Sequence, residues 1–64
     1  MKALTYNLAL ALFRDEVSVH LTHKLSLQTA INLAHAKLTP YLQPRHLDRA
    51  EQDVLANPPQ PLGA

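Results

Sequence analysis

The sequence predicts an all-α fold: a helical hairpin with a short third helix, dimerising into a helical bundle. Three observations carry this expectation. Residues 1–39 contain neither proline nor glycine, whereas all five prolines and the single glycine fall in residues 40–64. That shift separates an unbroken body from a punctuated end. Residues 3–13 are apolar apart from Thr5 and Asn7, and are rich in the strong helix formers alanine and leucine. Leu27, Ile31, Ala34, Leu38 and Tyr41 recur at spacings of 4, 3, 4 and 3. Such a seam has the period of a helix packed on another helix.

The first segment spans residues 3–24. A strand pair competes with a helix here, and β-hairpin followed by α-helix is the alternative fold. Leu4, Tyr6, Leu8, Leu10 and Leu12 alternate, as do Val17, Val19 and Leu21. A hairpin would turn at Arg14-Asp15-Glu16, which lacks the glycine or asparagine that tight hairpins favour. The residues between the leucines are alanines, so the second face is not polar, and the Ala-Leu composition suits strands poorly. Helix is favoured over residues 3–13. Residues 17–22 fit either form, and they carry a histidine pair, His20 and His23.

The second segment, residues 26–39, is the clearest helix. Ser26 is its N-cap, because a serine hydroxyl accepts from the free N–H groups of the first turn. Thr29 stands where a capping box wants Glu or Gln, which leaves that box incomplete. Pro40 ends the helix, since the residue before a proline is disfavoured in the α region. Ala30 and Leu33 widen the apolar stripe.

The third segment spans residues 44–56. Pro44 can open it, because proline lacks only a donor that would be unpaired in the first turn. Leu47, Ala50 and Val54, with Leu55 at the margin, form a narrow stripe. Asp48 and Glu51 suit the helix dipole, Arg49 and Asp53 form an i,i+4 pair, and Asn57-Pro58 stops the helix. A single small domain is expected over residues 1–57. The Pro-rich tail, residues 58–64, is read as extended or disordered.

A chain of 64 residues is one domain at most, and one this small buries only about 60% of its unfolded surface. Cysteine is absent, so disulfides and thiolate metal sites are excluded, in keeping with a reducing cytosol and a cytoplasmic location. The usual remaining stabiliser is association. The first helix demands it, because it is apolar on all sides. Leu4, Leu8, Ala11 and Leu12 mark one face, and Tyr6, Leu10, Phe13 and Val17 mark another. Leaving four large side chains in water would forgo roughly 6–10 kcal/mol. The expected interface, with a second copy or another protein, comprises Leu4, Leu8, Leu12, Phe13, Leu27, Ile31, Leu38 and Tyr41. His20, His23 and His35 form its candidate polar rim.

Other function classes find little footing. Net charge is +1. Lys2, Arg14, Lys24 and Lys37 against Asp15 and Glu16 leave +2 before residue 45. Arg45 and Arg49 against Asp48, Glu51 and Asp53 leave −1 after it. Neither half is a basic arm of the kind that neutralises phosphates. A helix-turn-helix is the alternative function, as a dimeric DNA-binding regulator reading bases through Gln28, Thr29 and Asn32. Its phosphate anchors are thin, with only Lys37 on the second helix. His20, His23 and His35 can in principle hold zinc, but no H-E-x-x-H or defined carboxylate spacing supports a metal, and no cofactor is expected. Ser18, Ser26, Asp15 and His20 supply triad chemistry on paper only. No nucleophile elbow or phosphate-binding glycine loop is present, so no enzyme is expected. The apolar stretch of residues 3–13 is too short to span a membrane. Its single preceding lysine makes a poor signal peptide. The expected function is therefore a small regulator acting by protein–protein binding, as an inhibitor, adaptor or antitoxin-like protein.

Overall fold

The computed structural model describes residues 5–61. Thr5 sits in extended backbone and accepts the Leu8 N–H on its hydroxyl at 3.3 Å, which satisfies one donor of the first turn. From it runs helix α1, Tyr6–Thr22. Helix α2 is Leu27–Leu38 and helix α3 is Pro44–Ala56. No strand occurs among the described residues, so the β-hairpin alternative for the first segment is corrected. The reason lies in the phase of Val17, Val19 and Leu21. A strand would place all three on one face. Instead Val17 is fully buried, Val19 is exposed and Leu21 is half-buried. With no turn residue at Arg14-Asp15-Glu16, the helix continues through the point where the hairpin would fold.

The α1–α2 turn is tight. The Leu25 N–H bonds the His20 carbonyl at 3.3 Å, and the Lys24 N–H bonds the Leu21 carbonyl at 2.9 Å. This is the nested pair of a Schellman ending, which needs a left-handed residue, usually glycine. Lys24 takes that position at φ 66°. Two residues on, Ser26 caps α2 by accepting the Thr29 N–H at 3.2 Å, and its hydroxyl donates to Thr29 Oγ1 at 2.9 Å. Thr29 thus answers the cap through the Ser26 hydroxyl, and not through the Ser26 N–H that a capping-box Glu or Gln accepts.

Helix α2 stops before Pro40, though not by the route the sequence suggests. Thr39 remains in the right-handed α region at φ −51°, ψ −42°. Its N–H and its hydroxyl both bond the His35 carbonyl, at 3.0 and 2.6 Å, and these two bonds hold it there against the proline. The helix ends because the proline nitrogen has no hydrogen to continue the ladder. This turn takes Tyr41 out of the α2 seam, where it is 73% exposed, and Leu42 drops into the core instead. Pro44 occupies the first turn of α3, as expected, after Gln43, whose side chain makes no capping bond.

One core joins the helices. Ala9, Phe13 and Val17 come from α1, Ala30, Ile31 and Ala34 from α2, and Leu47, Ala50 and Val54 from α3. Helix α1 is the central element and packs on both others, which touch each other much less. Four of the core residues are alanines, which allow close helix approach while filling little volume. Past α3, Arg14 Nη1 donates to the Asn57 carbonyl at 2.6 Å and ties the end of the helix back to α1. Residues 58–61 follow without regular structure.

Candidate protein-binding face

Helix α1 carries two apolar faces with different fates. Phe13 and Val17 are fully buried, while Tyr6 and Leu10 pack in part against the core. Leu8 and Leu12, with Val19 further along, remain 47%, 39% and 37% exposed. Residues 8, 12, 15 and 19 are spaced 4, 3 and 4. At 3.6 residues per turn they fall within an arc of about 60°. Leu8, Leu12 and Val19 therefore form one straight seam, turned away from Ala9, Phe13 and Val17. Asp15 is in the middle of it. Asp15 is exposed and has no hydrogen-bond or ion-pair partner among the described residues.

Helix α2 borders the seam. Lys37 Nζ reaches across to Glu16 Oε2 at 3.2 Å. Leu33 lies one turn before Lys37 on the same side of α2 and is 42% exposed. Glu16 in turn lies one turn after Leu12. The outer side of the hairpin thus presents Leu8, Leu12 and Val19 from one helix and Leu33 from the other, stitched together by the Glu16–Lys37 pair. Helix α3 contacts the opposite flank of α1, through Tyr6 and Arg14, and leaves this side open.

The expected interface residues divide accordingly. Phe13 and Ile31 have no exposed surface, so they back the face from inside the chain and do not form it. Leu27 and Leu38 are half-buried against the same core. Leu8 and Leu12 are on the open face, and Tyr41 is exposed in the α2–α3 connection. Leu4 lies outside the described residues. Val19, Leu33 and Asp15, outside the expected set, lie on this side as well, and the 4, 3, 4 spacing from Leu8 to Val19 places the two on α1.

The histidines do not converge. His35 Nδ1 meets Glu51 Oε1 at 2.7 Å, linking α2 to α3. His20 Nε2 comes within 3.2 Å of Glu16 Oε2. That is ion-pair distance without hydrogen-bond alignment, and the buried nitrogen makes no hydrogen bond among the described residues. His23 is an exposed residue at the α1 C-cap. Among the described residues no three His, Asp or Glu side chains gather around a point where a metal could sit. The DNA-reading side chains are also engaged: Gln28 Nε2 donates to Asn32 Oδ1 at 3.0 Å, and Lys37 is held by Glu16.

A polar cluster closes the other flank of α1. The Tyr6 hydroxyl donates to Asp53, the Arg49 guanidinium lies over the Tyr6 ring at 4.1 Å, and His46 meets that ring edge-on at 5.7 Å. The expected Arg49–Asp53 pair is thus replaced by two contacts to one tyrosine, a cation–π contact and a hydrogen bond. Burial, then the hydrogen bond and charge of Asp53, push the Tyr6 hydroxyl from its ordinary 10 to about 12, against the opposing charge of Arg49. Beside this cluster lies an open groove of about 460 Å³ lined by Leu10, Arg14, Asp53, Ala56 and Asn57. It is shallow, and Arg14 is already committed to the Asn57 carbonyl. Among the described residues no helix is long and apolar enough to cross a membrane. No family model matches the chain, and neither curated proteins nor solved structures give a significant match.

Proposed function

We propose that the protein is a small, non-catalytic regulator that works by binding another protein through the outer side of the α1–α2 hairpin. An inhibitor, adaptor or antitoxin-like role fits this reading. The observation that carries it is the exposure of Leu8, Leu12, Val19 and Leu33 on one side of a chain whose own core is already closed. Scattered surface leucines need no explanation, but four apolar side chains gathered on one side call for a cover. Completing the burial of these four side chains is worth about 2.5–5 kcal/mol, taking roughly two-fifths of the value of each. The dimeric bundle expected from the sequence would use the same side. Duplex DNA binding gains no supporting observation, because Lys37 and the Gln28–Asn32 pair are engaged within the chain.

Affinity capture from the native source, read by mass spectrometry, tests the reading. The intact chain should retain a stoichiometric partner, and Leu12→Glu should lose it while keeping its helical circular dichroism. Retention of the same partner by Leu12→Glu would place binding elsewhere. Retarded migration of a DNA duplex at low salt, equal for both chains, would return the DNA-binding function.

A further inference from the structure

The occupant of the face can be specified from its charge, and the inference rests on the reading above. We infer that the face takes an amphipathic helix of another protein, with a Lys or Arg midway along its apolar seam. The seam on α1 is straight, about 16 Å long from Leu8 to Val19 at 1.5 Å per residue, and bordered by Leu33. A seam of that length suits a helix laid along it, with its own apolar residues at matching i, i+4, i+7 positions. The middle of the seam is not apolar. Asp15 follows Leu12 by three residues and precedes Val19 by four, and its carboxylate is unpartnered among the described residues. Any cover that closes over Leu12 and Val19 also closes over Asp15. An apolar cover would strand that charge, which is costly, whereas a cation there gains a pair while the leucines are buried.

The same carboxylate argues against a second copy of this chain. In a parallel pair, each residue of α1 meets its own equivalent, so Asp15 meets Asp15. In the antiparallel pair that covers the whole seam, Leu8 meets Val19 and Leu12 meets Asp15, and the axis falls between residues 13 and 14. Each Asp15 is then closed under a leucine of the other copy, with no cation on the seam to meet it and Lys37 already held by Glu16. An antiparallel pair shifted to oppose Leu8 and Leu12 sets Asp15 against Thr5 but leaves Val19 uncovered. Self-pairing of α1 therefore strands the carboxylate, sets like charges together or gives up part of the apolar gain.

The test uses the full chain and two synthetic amphipathic helices of about five turns, identical except for Lys or Glu at the centre of the apolar seam. Titration is followed by backbone amide NMR, with calorimetry for affinity and sedimentation for the oligomeric state of the chain alone. The Lys-centred peptide should bind about fivefold to tenfold more tightly than the Glu-centred one. It should shift the amides around Leu8, Leu12, Val19 and Leu33, and lose its advantage as salt rises. Asp15→Asn should level the two peptides, and Asp15→Lys should reverse their order. Equal binding of both peptides by the unaltered chain would overturn the charge assignment while leaving the face as a helix-binding surface. Binding of neither by a chain that sediments as a monomer would overturn the face itself. A stable dimer dissociated by Leu12→Glu, with no peptide bound, would make the second copy the occupant.

Discussion

Lys24 is a lysine where the fold asks for glycine, and replacing it should stabilise the protein. It stands at φ 66° with its N–H on the Leu21 carbonyl, and the next N–H, of Leu25, closes on His20. A side chain with a Cβ pays about 1–2 kcal/mol to hold the left-handed conformation. Glycine removes that penalty but adds about 0.4–1 kcal/mol of backbone freedom to the unfolded chain. The difference leaves Lys24→Gly more stable by about 0.5–1 kcal/mol, or about 2–8 °C in Tm for a domain of this size. No ion pair is lost, since Lys24 makes none among the described residues. Thermal and urea unfolding followed by far-UV circular dichroism measures the change. Lys24→Ala is the control, because alanine keeps the Cβ and so keeps the penalty; it should unfold with the parent. If Lys24→Gly were no more stable than Lys24→Ala, the turn would not hold this residue in the left-handed region, and the Schellman assignment would be wrong.

The core and the face should separate in urea unfolding. Phe13→Ala should cost about 3–5 kcal/mol, a large share of the roughly 3–10 kcal/mol available to a chain of this length, whereas Leu12→Ala should cost under about 1 kcal/mol. Equal losses would mean that the two faces of α1 are misassigned. Ser26→Ala should cost about 1 kcal/mol through the lost cap; in a double-mutant cycle with Thr29→Ala, purely additive losses would show that the reciprocal hydroxyl contact contributes nothing. For Tyr6, the folded chain holds the phenol proton more tightly than the unfolded one. Its contribution is therefore complete below pH 10 and lost as the pH rises towards about 12. Tyrosinate absorbance of a Tyr41→Phe chain should show this late ionisation, Asp53→Asn should bring it earlier, and an identical curve for both chains would remove Asp53 as a cause.

The helices were legible where the sequence carries local chemistry. Ser26, Pro40 and Pro44 each mark a boundary by a specific hydrogen-bonding property, and the helices begin and end beside them. Residues 17–22 were ambiguous because alternation in Val17, Val19 and Leu21 matches both periods over so short a run. Only packing on α2 and α3 resolves it. The partners of the polar side chains were not legible either. Tyr6 and Asp53 are 47 residues apart, and the Arg49–Asp53 spacing suggested a local pair that the tyrosine displaces. Membership of the face was half legible. The excess of leucine on α1 declared an unsatisfied side, but which leucines it comprised depended on where α3 docked. Helix α3 settled on the Tyr6, Leu10 and Arg14 flank and so left Leu8, Leu12 and Val19 outside.

On the proposed reading, the distribution of side-chain sizes ties folding to binding. Ala9, Ala30, Ala34 and Ala50 occupy core positions beside Phe13, Ile31 and Leu47, while Leu8, Leu12 and Leu33 remain on the outside. A chain shaped for stability alone would place its larger apolar residues inside, because burial is worth about 25 cal/mol per Å² of apolar surface. The placement here keeps the isolated chain's core small and leaves about 2.5–5 kcal/mol of apolar burial unrealised in the chain alone. That amount is of the same order as the whole stability of a domain this size. A partner that binds only the folded chain raises its stability by RT ln(1 + [L]/Kd), which is about 2.7 kcal/mol at a hundredfold excess over Kd. With so small a core, the proposed partner would raise the folded fraction as its concentration rises, and with it the chain's resistance to proteolysis. The leucines on the outer side of α1 would then act on both equilibria at once, and a change at Leu12 that weakened binding would also remove the protection that binding confers.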